Sequence, residues 1–343
     1  MNTKQSIIDA FKLKTPETSG CVPVTIFGGG VWMVRRLKRE FDELLDDPQD
    51  YARLIVDATK ELESPIVYVG SGYGNYLPAA LGGTLKPHEL GPPEMRAPII
   101  KGSADELDAL DVEMIENDPW IAKLREAARL VSNEIGQTHI VATTAYAPFT
   151  LAGQIYGVEE LMRATMRKPA EVEKTLQFTT EVLKQFYRPL LQEKAITMAC
   201  LADPTASGDL ISARTFKNFG LAYLQEIIGW LKSQGVFTWL HICGDTADRL
   251  ELIAQTGADC FSLDYKVNLV KAKEVLGGKT CIAGNVDPVK YFFNGTPDSV
   301  AEASRKCIAE AAGGGGFILT SGCDLPPTVK LENIQAMMKA ACL

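Results

Sequence analysis

The feature that most constrains the fold is a regular alternation of short β-branched and aromatic runs with longer segments of helical apolar spacing. The short runs predict buried strands, and the longer segments predict helices that cross back over the sheet. The predicted strands are 22–27, 65–70, 138–143, 195–200, 237–242, 259–263, 280–284 and 317–321. Eight strands with helical connections predict an α/β fold, a (β/α)8 TIM barrel, with an open doubly wound parallel sheet as the alternative.

The connections predict where the longest loops lie. Helical segments are predicted at 44–62, 104–134, 158–194, 213–234, 247–255, 269–276, 299–312 and 331–342. A stretch rich in proline and glycine, 77–98, is predicted to pass over one end of the barrel. No internal repeat or linker divides the sequence, so we expect residues 1–343 to form one domain with extended loops at the C-terminal face of the strands.

Composition supports one large globular unit and excludes several function classes. The 343 residues are 46% hydrophobic and 23% charged, which is enough apolar material for a barrel. A net charge of -8 disfavours nucleic acid as a partner. No apolar run approaches a membrane span, and no export signal is evident, so we expect a cytoplasmic protein whose eight cysteines are reduced and mostly buried.

The strongest candidate site combines a histidine and two cysteines at two predicted strand ends. His241 and Cys243 are two residues apart at the end of the fifth strand, so their side chains point to the same side, and Cys323 follows the eighth strand. The C-terminal strand ends of a barrel converge, and three such ligands suit a catalytic zinc with one open position. The alternative interpretation is that all three are ordinary buried core residues.

Acidic residues follow other predicted strands. Asp203 and Asp209 come after the fourth strand, where they could orient a ligand, hydrogen-bond a metal-bound histidine, or simply cap the next helix. Asp264 follows the sixth strand and is a weaker candidate of the same kind.

Aromatic residues and glycines lie near the same loops. Trp32, Tyr73 and Tyr146 could wall a pocket for a flat apolar ligand, although aromatic residues at loop bases more often cap a core. The glycine clusters at 28–30 and 70–74 have neither a Walker lysine nor a clean helix start after them, so dinucleotide binding is not expected. Close approach of the backbone explains them more simply.

Four pieces of the sequence carry a family resemblance that runs along nearly the whole chain. They are the segments 147–152 (APFTLA), 202–212 (ADPTASGDLIS), 241–244 (HICG) and 316–323 (GFILTSGC). With these pieces the sequence resembles the uroporphyrinogen decarboxylase superfamily, in its zinc-containing, corrinoid-dependent methyltransferase branch.

This resemblance implies a TIM barrel that holds zinc with His241, Cys243 and Cys323, and whose open mouth docks a separate corrinoid protein. It implies methyl transfer between the corrinoid cobalt and a small substrate, with Asp203 near the reaction. We expect an aryl methyl ether or similar methylated compound, because the glycine-rich loops and their aromatic residues suit a flat substrate. Methylation of a thiol such as coenzyme M is the alternative direction. The fourth zinc ligand stays open between water, Asp264 and another acidic residue.

The sequence departs from the decarboxylase pattern at each expected catalytic place. Residues 32–36 match the arginine motif only in part, and Gly-Ser-Gly at 70–72 stands where an aspartate would be. Gln154 stands near the place of the tyrosine and is expected to contact substrate, and Cys323 stands near the place of the histidine. Porphyrinogen decarboxylation is therefore disfavoured. A decarboxylase-like enzyme or a non-catalytic tetrapyrrole-binding barrel remains an alternative, and a homo-oligomer stays open because outer barrel helices often pair.

Overall fold

A computed structural model of the chain describes residues 2–15, 21–88 and 91–341. Within these ranges the strands, numbered along the chain as β1 to β9, are Ile66–Val69, Leu85–Lys86, Glu94–Met95, Ile140–Tyr146, Met198–Ala202, Phe237–Ile242, Cys260–Leu263, Cys281–Val286 and Phe317–Ser321. Seven of them form a parallel sheet in the order β1-β4-β5-β6-β7-β8-β9. The strands β2 and β3 pair antiparallel, inside the predicted excursion at 77–98.

The α-helices of the same ranges, α1 to α16, are Lys4–Phe11, Gly30–Arg36, Phe41–Asp46, Pro48–Glu61, Tyr76–Ala80, Met114–Asn117, Pro119–Ile135, Pro148–Tyr156, Val158–Arg167, Pro169–Gln192, Ala213–Thr215, Leu221–Ser233, Leu250–Ala254, Leu269–Leu276, Pro297–Ala311 and Leu331–Ala340. Short 3-10 turns occur at Ala104–Ala109, Pro204–Ala206 and Ala247–Arg249, and π-helical turns at Phe216–Gly220 and Pro288–Phe293. The residues at the N-terminal end of a helix explain where it begins. Asp47, for example, accepts hydrogen bonds from the first free N–H groups of α4, and Pro48 occupies its first position.

The predicted first strand, 22–27, is reduced to one parallel bridge between Val24 and Leu319 of β9. The Leu319 N–H donates to the carbonyl of Pro23 at 2.8 Å, and the Thr25 N–H donates to the carbonyl of Leu319 at 3.0 Å. Pro23 has no N–H to extend the ladder, which is one reason why the pairing stays short. The segment therefore lies beside β9. The parallel sheet has seven strands and this bridge, where the sequence predicted eight strands.

Alternate residues of the strands point into a shared interior core on the inner side of the curled sheet. Its buried members from the strands are Ile66, Tyr68, Ile140, Ala142, Met198, Cys200, Trp239, Cys260, Cys281, Ala283 and Ile318. Helix α1, which the sequence analysis did not predict, adds Ile7 and Phe11 to this core. The ring centroid of Phe11 lies 6.3 Å from that of Trp239. Because α1 packs on the interior core, the opposite, C-terminal edge is where a site can open.

The cysteines of the described ranges mostly behave as small buried side chains. Cys200, Cys260, Cys281 and Cys307 are buried free thiols, as the sequence predicted. Cys21 is disulfide-bonded, which corrects the expectation that every thiol is reduced. Among the described helices, none is both long enough and apolar enough to cross a membrane.

Candidate metal centre

The two sequence-distant strand ends that carry the predicted ligands meet at the C-terminal edge of the sheet. His241 is the next-to-last residue of β6, Cys243 directly follows that strand, and Cys323 lies two residues after β9. The His241 Nε2 atom lies 3.2 Å from Cys243 Sγ and 3.8 Å from Cys323 Sγ, and the two sulfur atoms are 3.6 Å apart. One nitrogen and two sulfur atoms thus form a compact triangle.

The triangle has the dimensions that zinc requires. A tetrahedral zinc ion, with Zn–S distances of about 2.3 Å and a Zn–N distance of about 2.0–2.1 Å, needs ligand atoms about 3.5–3.8 Å apart. The observed distances between the ligand atoms of His241, Cys243 and Cys323 lie close to this range. Three protein ligands leave one tetrahedral position for another molecule. The donor set could therefore hold a metal ion and still bind substrate.

Contacts with the protein itself orient the histidine ring. His241 is 1% exposed, and its Nδ1 atom lies 3.2 Å from the carbonyl oxygen of Ser262 on β7. A carbonyl oxygen only accepts hydrogen bonds, so Nδ1 carries the ring proton and Nε2 keeps its lone pair toward the sulfur atoms. The Phe27 ring packs against the imidazole with 4.2 Å between centroids. Both contacts limit rotation of the ligand.

The two thiols affect each other's ionisation. The Cys243 thiol, which can donate a hydrogen bond to the Cys323 sulfur, lowers the pKa of Cys323. The neighbouring Cys323 sulfur and burial raise the pKa of Cys243 well above its usual value. Two thiolates at this distance repel each other in a buried site, so the second ionises readily only when a cation shares the site. This electrostatic demand is the one that a divalent metal meets.

The turn after Cys243 depends on a glycine and an aspartate. Gly244 has a φ of 76°, and a Cβ atom there would come within 2.3 Å of an Asp209 carboxylate oxygen. Its N–H donates to Oδ2 of Asp264 at 2.8 Å, and the other Asp264 oxygen accepts from the Lys266 N–H at 3.0 Å. Asp264, a predicted substrate contact, thus holds the chain next to a metal ligand, and the structure places it outside the wall of the cavity described next.

A cavity of about 220 Å³ opens beside the triangle. It is lined by Phe27, Gly28, Ser71, Gly72, Gly74, Pro92, Thr144, Ala145, Tyr146, Ala202, Pro204, His241, Cys243, Cys323 and Asp324. Most of this wall is apolar or aromatic. Its volume lies below the range of about 300–1,000 Å³ that is usual for drug-sized ligands. The cavity therefore suits a small molecule that reaches the metal ligands.

The structure adds Asp324 to the site. Its carboxylate lines the cavity next to Cys323, and its Oδ1 atom accepts the N–H groups of Gly29 at 2.8 Å and Leu325 at 2.9 Å. Burial raises the pKa of Asp324 to about 7. Its place directly after a predicted ligand at a strand end was the signal that could have identified it. Phe27 and Ser71 are two further wall residues that sequence reasoning missed.

Only some of the aromatic and amide residues that were predicted to contact substrate line the cavity. Tyr146, the last residue of β4, lines the cavity. Trp32 is buried with its Nε1–H donated to the Val329 carbonyl at 2.8 Å, and Tyr73 is buried with its hydroxyl donated to the Phe41 carbonyl at 2.8 Å. Gln154 lies on α8 and is not part of the cavity wall. The predicted pocket of Trp32, Tyr73 and Tyr146 therefore does not form as a unit.

Asp203 lies next to the site but is directed at a helix. It is fully buried, and its Oδ1 atom accepts the N–H of Thr150 in the first turn of α8 at 2.7 Å. Burial raises its pKa to about 7. The Ser262 carbonyl, not this carboxylate, lies at Nδ1 of His241. Asp203 thus satisfies a free N–H of the earlier helix α8, and its side chain does not cap the turn Pro204–Ala206 that follows it, where the sequence predicted a cap.

The glycine clusters serve close packing. A Cβ atom on Gly30 would lie 2.1 Å from the Ser71 carbonyl oxygen, so the two predicted glycine loops touch backbone to backbone. The N–H of Gly30 donates to Ser71 Oγ at 3.2 Å. This contact agrees with the close approach predicted from the sequence.

Comparison with known proteins places the whole chain in one family. The model of the uroporphyrinogen decarboxylase (URO-D) family matches residues 2–342. A solved structure described as a methyltransferase from Methanosarcina mazei superposes with a TM-score of 0.86 at 23% identity and covers 98% of this chain and 97% of that one. At this identity the match speaks for the fold alone.

Two curated relatives are methyltransferases by name. The methylcobamide:CoM methyltransferase MtbA of Methanosarcina acetivorans is 30% identical over 225 residues, which is 66% of this chain and 64% of the relative. The methylated-thiol–coenzyme M methyltransferase of Methanosarcina mazei is 34% identical over 194 residues, or 57% and 50% of the two chains. The matched part of this chain thus spans less than two thirds of each of these two relatives.

Proposed function

The chain belongs to the uroporphyrinogen decarboxylase family, and on that premise we propose that it is a zinc-dependent methyltransferase that methylates a small thiol with a methyl group from a corrinoid protein. The observation that carries the proposal is the triangle of His241 Nε2, Cys243 Sγ and Cys323 Sγ beside a small cavity. The names of the curated relatives support the same reaction class.

The residues of this chain contribute position and charge. A zinc ion held by His241, Cys243 and Cys323 supplies a Lewis acid that lowers the pKa of a bound thiol and so creates a nucleophile near neutral pH. The Ser262 carbonyl and the Phe27 ring fix the imidazole that faces the substrate. The apolar wall excludes water from the reacting sulfur, which strengthens electrostatic interactions there. In the proposed reaction the methyl group moves to sulfur, the electron pair of its old bond stays on cobalt, and the thiol proton is released.

The partner would present the corrinoid at the mouth of the cavity. A corrin macrocycle is far larger than the cavity of about 220 Å³, so only the methyl group and the small substrate meet inside. The same size argument weighs against a porphyrinogen as substrate. The wall also has no arginine or lysine among its described residues to pair with porphyrinogen carboxylates.

A methylated aromatic compound is the second candidate substrate. Phe27 and Tyr146 supply aromatic surface to the cavity wall, and a flat ring can pack against such surfaces. In this direction the methyl group of an aryl methyl ether would pass to the corrinoid. The small volume favours a single substituted ring over a larger system.

Metal content and methyl transfer together test the proposal. Purified protein is expected to hold one zinc per chain by inductively coupled plasma mass spectrometry, and His241→Ala, Cys243→Ala and Cys323→Ala are each expected to lose it. Methylcobalamin with 2-mercaptoethanol tests thiol methylation, and reduced cobalamin with methoxybenzenes tests demethylation. The variant Cys307→Ala is the matched control, because Cys307 is a free thiol on α15, outside the metal ligands and the cavity wall. Zinc retained in all three ligand variants would refute the metal site.

A further inference from the structure

We infer that the cavity beside the metal ligands accepts substrates without an anionic group and discriminates against thiols that carry one. This inference rests on the proposed function and specifies its substrate class. It comes from the charges that line the cavity, which can be counted residue by residue.

The described wall of the cavity contains no arginine and no lysine. Apart from the metal ligands, its one ionisable carboxyl group is Asp324, which supplies no positive charge in either protonation state. The wall is otherwise glycine, proline, alanine, threonine, serine and aromatic side chains. An anion bound in the cavity would therefore meet no positively charged side chain among the described wall residues.

Two basic side chains of the loops around the site, Lys266 and Arg249, are already engaged elsewhere. Lys266, two residues after Asp264, forms an ion pair with Asp209 at 2.7 Å. The buried Arg249 guanidinium donates to the carbonyls of Ala206 and Ile211 at 2.7 and 2.6 Å. Neither side chain lines the cavity.

Backbone N–H groups in glycine loops can also hold anions, and the two that follow the wall residue Gly28 are already used. The Gly29 N–H donates to the Asp324 carboxylate at 2.8 Å. The Gly30 N–H donates to Ser71 Oγ at 3.2 Å. A sulfonate or carboxylate near this loop would have to displace internal hydrogen bonds to gain them.

The net charge of the site with zinc and a substrate thiolate bound would also disfavour a second anionic group. Two cysteine thiolates neutralise a zinc ion, and a third thiolate from the substrate makes the centre negative by one unit. A second anionic group on a small thiol would lie within a few ångströms of that centre, shielded from water and without a partner. Burial of an unpaired charge is costly, so binding should fall steeply. A neutral group avoids this cost, and an ammonium group would be attracted to the negatively charged centre.

Coenzyme M, named in both relatives, is 2-mercaptoethanesulfonate and is anionic at every working pH. Its smaller analogues 2-mercaptoethanol and cysteamine keep the thiol and the two-carbon chain but end in a neutral hydroxyl and an ammonium group. The three compounds form a series in which the charge of one end is the main change.

The experiment is a thiol titration of protein in which cobalt(II) replaces zinc, followed by the thiolate-to-cobalt absorption band. We expect 2-mercaptoethanol and cysteamine to bind at least about tenfold more tightly than the sulfonate, a difference of about 1.4 kcal/mol. Equal or tighter binding of the sulfonate would overturn the inference and leave the proposed function standing. If none of the thiols changed the spectrum, the proposed function would fail and this inference with it.

Two variants test whether wall charge is the cause. Asp324→Asn removes the carboxylate, and Pro92→Lys adds a cation at the partly exposed wall. Both are expected to lower the ratio between the dissociation constants of the sulfonate and of 2-mercaptoethanol, Pro92→Lys by about tenfold or more. Pro92→Gln is the neutral control for the loop change. If the ratio between the dissociation constants of the sulfonate and of 2-mercaptoethanol were unchanged in both charge variants, the charge of the wall would not be the cause of the discrimination.

Discussion

The imidazole Nδ1 atom of His241 lies 3.2 Å from the backbone carbonyl oxygen of Ser262, its register partner on the neighbouring strand β7. The contact orients the His241 ring through a backbone carbonyl, so the orientation does not depend on which side chain stands at position 262. The Ser262 hydroxyl is itself buried without a hydrogen-bond partner. Strand register and the side chain of His241 together therefore preorganise the ligand.

The variant Ser262→Ala is expected to keep one zinc per chain and a melting temperature equal to or above that of the wild type. Removal of a buried hydroxyl that has no partner relieves a desolvation cost, and the carbonyl that holds His241 remains. His241→Ala is expected to lose the zinc. Metal analysis and thermal unfolding check both. Loss of zinc in Ser262→Ala would assign the orienting role to the hydroxyl instead.

Asp203 is predicted to matter for stability more than for metal binding. Its Oδ1 atom accepts the Thr150 N–H at 2.7 Å, and Asn can keep that acceptor whereas Ala cannot. We expect Asp203→Ala to lower the free energy of unfolding by about 1–3 kcal/mol, with zinc still bound. Asp203→Asn should keep more of the stability. Urea unfolding followed by circular dichroism, with metal analysis of the folded variants, measures both effects. Zinc loss in a well-folded Asp203→Asn protein would give the carboxylate a role at the metal.

The sequence predicted the parts of the fold that depend on local pattern. The strands Phe237–Ile242 and Phe317–Ser321 have the predicted bounds, because each is a continuous β-branched and aromatic run that ends at a glycine or polar turn. This precision is why the three metal ligands could be placed on converging strand ends. The segment 22–27 has a similar composition, but Pro23 and the neighbouring glycines leave it a single bridge.

The rest of the site depends on contacts between residues far apart in sequence. Trp32 and Tyr146 have the same sequence signature of an aromatic residue at a loop, yet one lies in the core and the other lines the cavity. The difference is decided by partners such as Val329, which accepts the Trp32 indole N–H across 297 positions of sequence. No periodicity encodes such a pairing. Asp324 directly follows Cys323 in the sequence, but its place in the wall also depends on the distant Gly29 loop that packs against it.

A tyrosine at the end of α8 and a glutamate in the first turn of α10 predict a pH-dependent contribution to stability. The Tyr156 hydroxyl donates to Glu171 Oε2 at 2.7 Å, and this hydrogen bond is the main cause that lowers the pKa of Glu171. Because the folded pKa is below the unfolded value near 4.5, the stabilisation is present above pH 4.5 and is lost as pH falls through the folded pKa. Tyr156→Phe should therefore cost about 1 kcal/mol at pH 7 and less below pH 4.

Thermal unfolding of both proteins from pH 7 to pH 3.5 measures that difference. Tyr223→Phe is the matched control, because the Tyr223 hydroxyl donates to a backbone carbonyl, that of Glu173, at 3.3 Å. A carbonyl does not titrate, so the effect of Tyr223→Phe should be much the same across the range. A Tyr156→Phe effect that is equally flat would show that the Glu171 carboxylate is not the acceptor that matters.

Arg249 is predicted to be a main stabiliser of the loops beside the site. Its side chain is fully buried, and its two terminal nitrogens donate to the carbonyls of Ala206 and Ile211, in the loop after β5 that also supplies Pro204 to the cavity wall. Lysine has one terminal nitrogen and cannot reproduce this fork, so Arg249→Lys leaves a buried carbonyl unpaired. We expect a loss of about 2–4 kcal/mol in the free energy of unfolding by urea.

The same substitution at Arg163 is the control that distinguishes loss of the Arg249 hydrogen bonds from the general effect of replacing an arginine with lysine. Arg163 is exposed on α9 and pairs with Glu159 and Glu160, so Arg163→Lys should change stability by less than about 0.5 kcal/mol. Because the Gly208 N–H of the Arg249-bound loop donates to the Asp245 carbonyl at 2.8 Å, loosening that loop also loosens the turn that carries Cys243. Arg249→Lys should therefore release zinc to a chelator faster than Arg163→Lys does. Equal stability and equal zinc release in the two variants would show that the buried Arg249 side chain stabilises neither the loop after β5 nor the turn that carries Cys243.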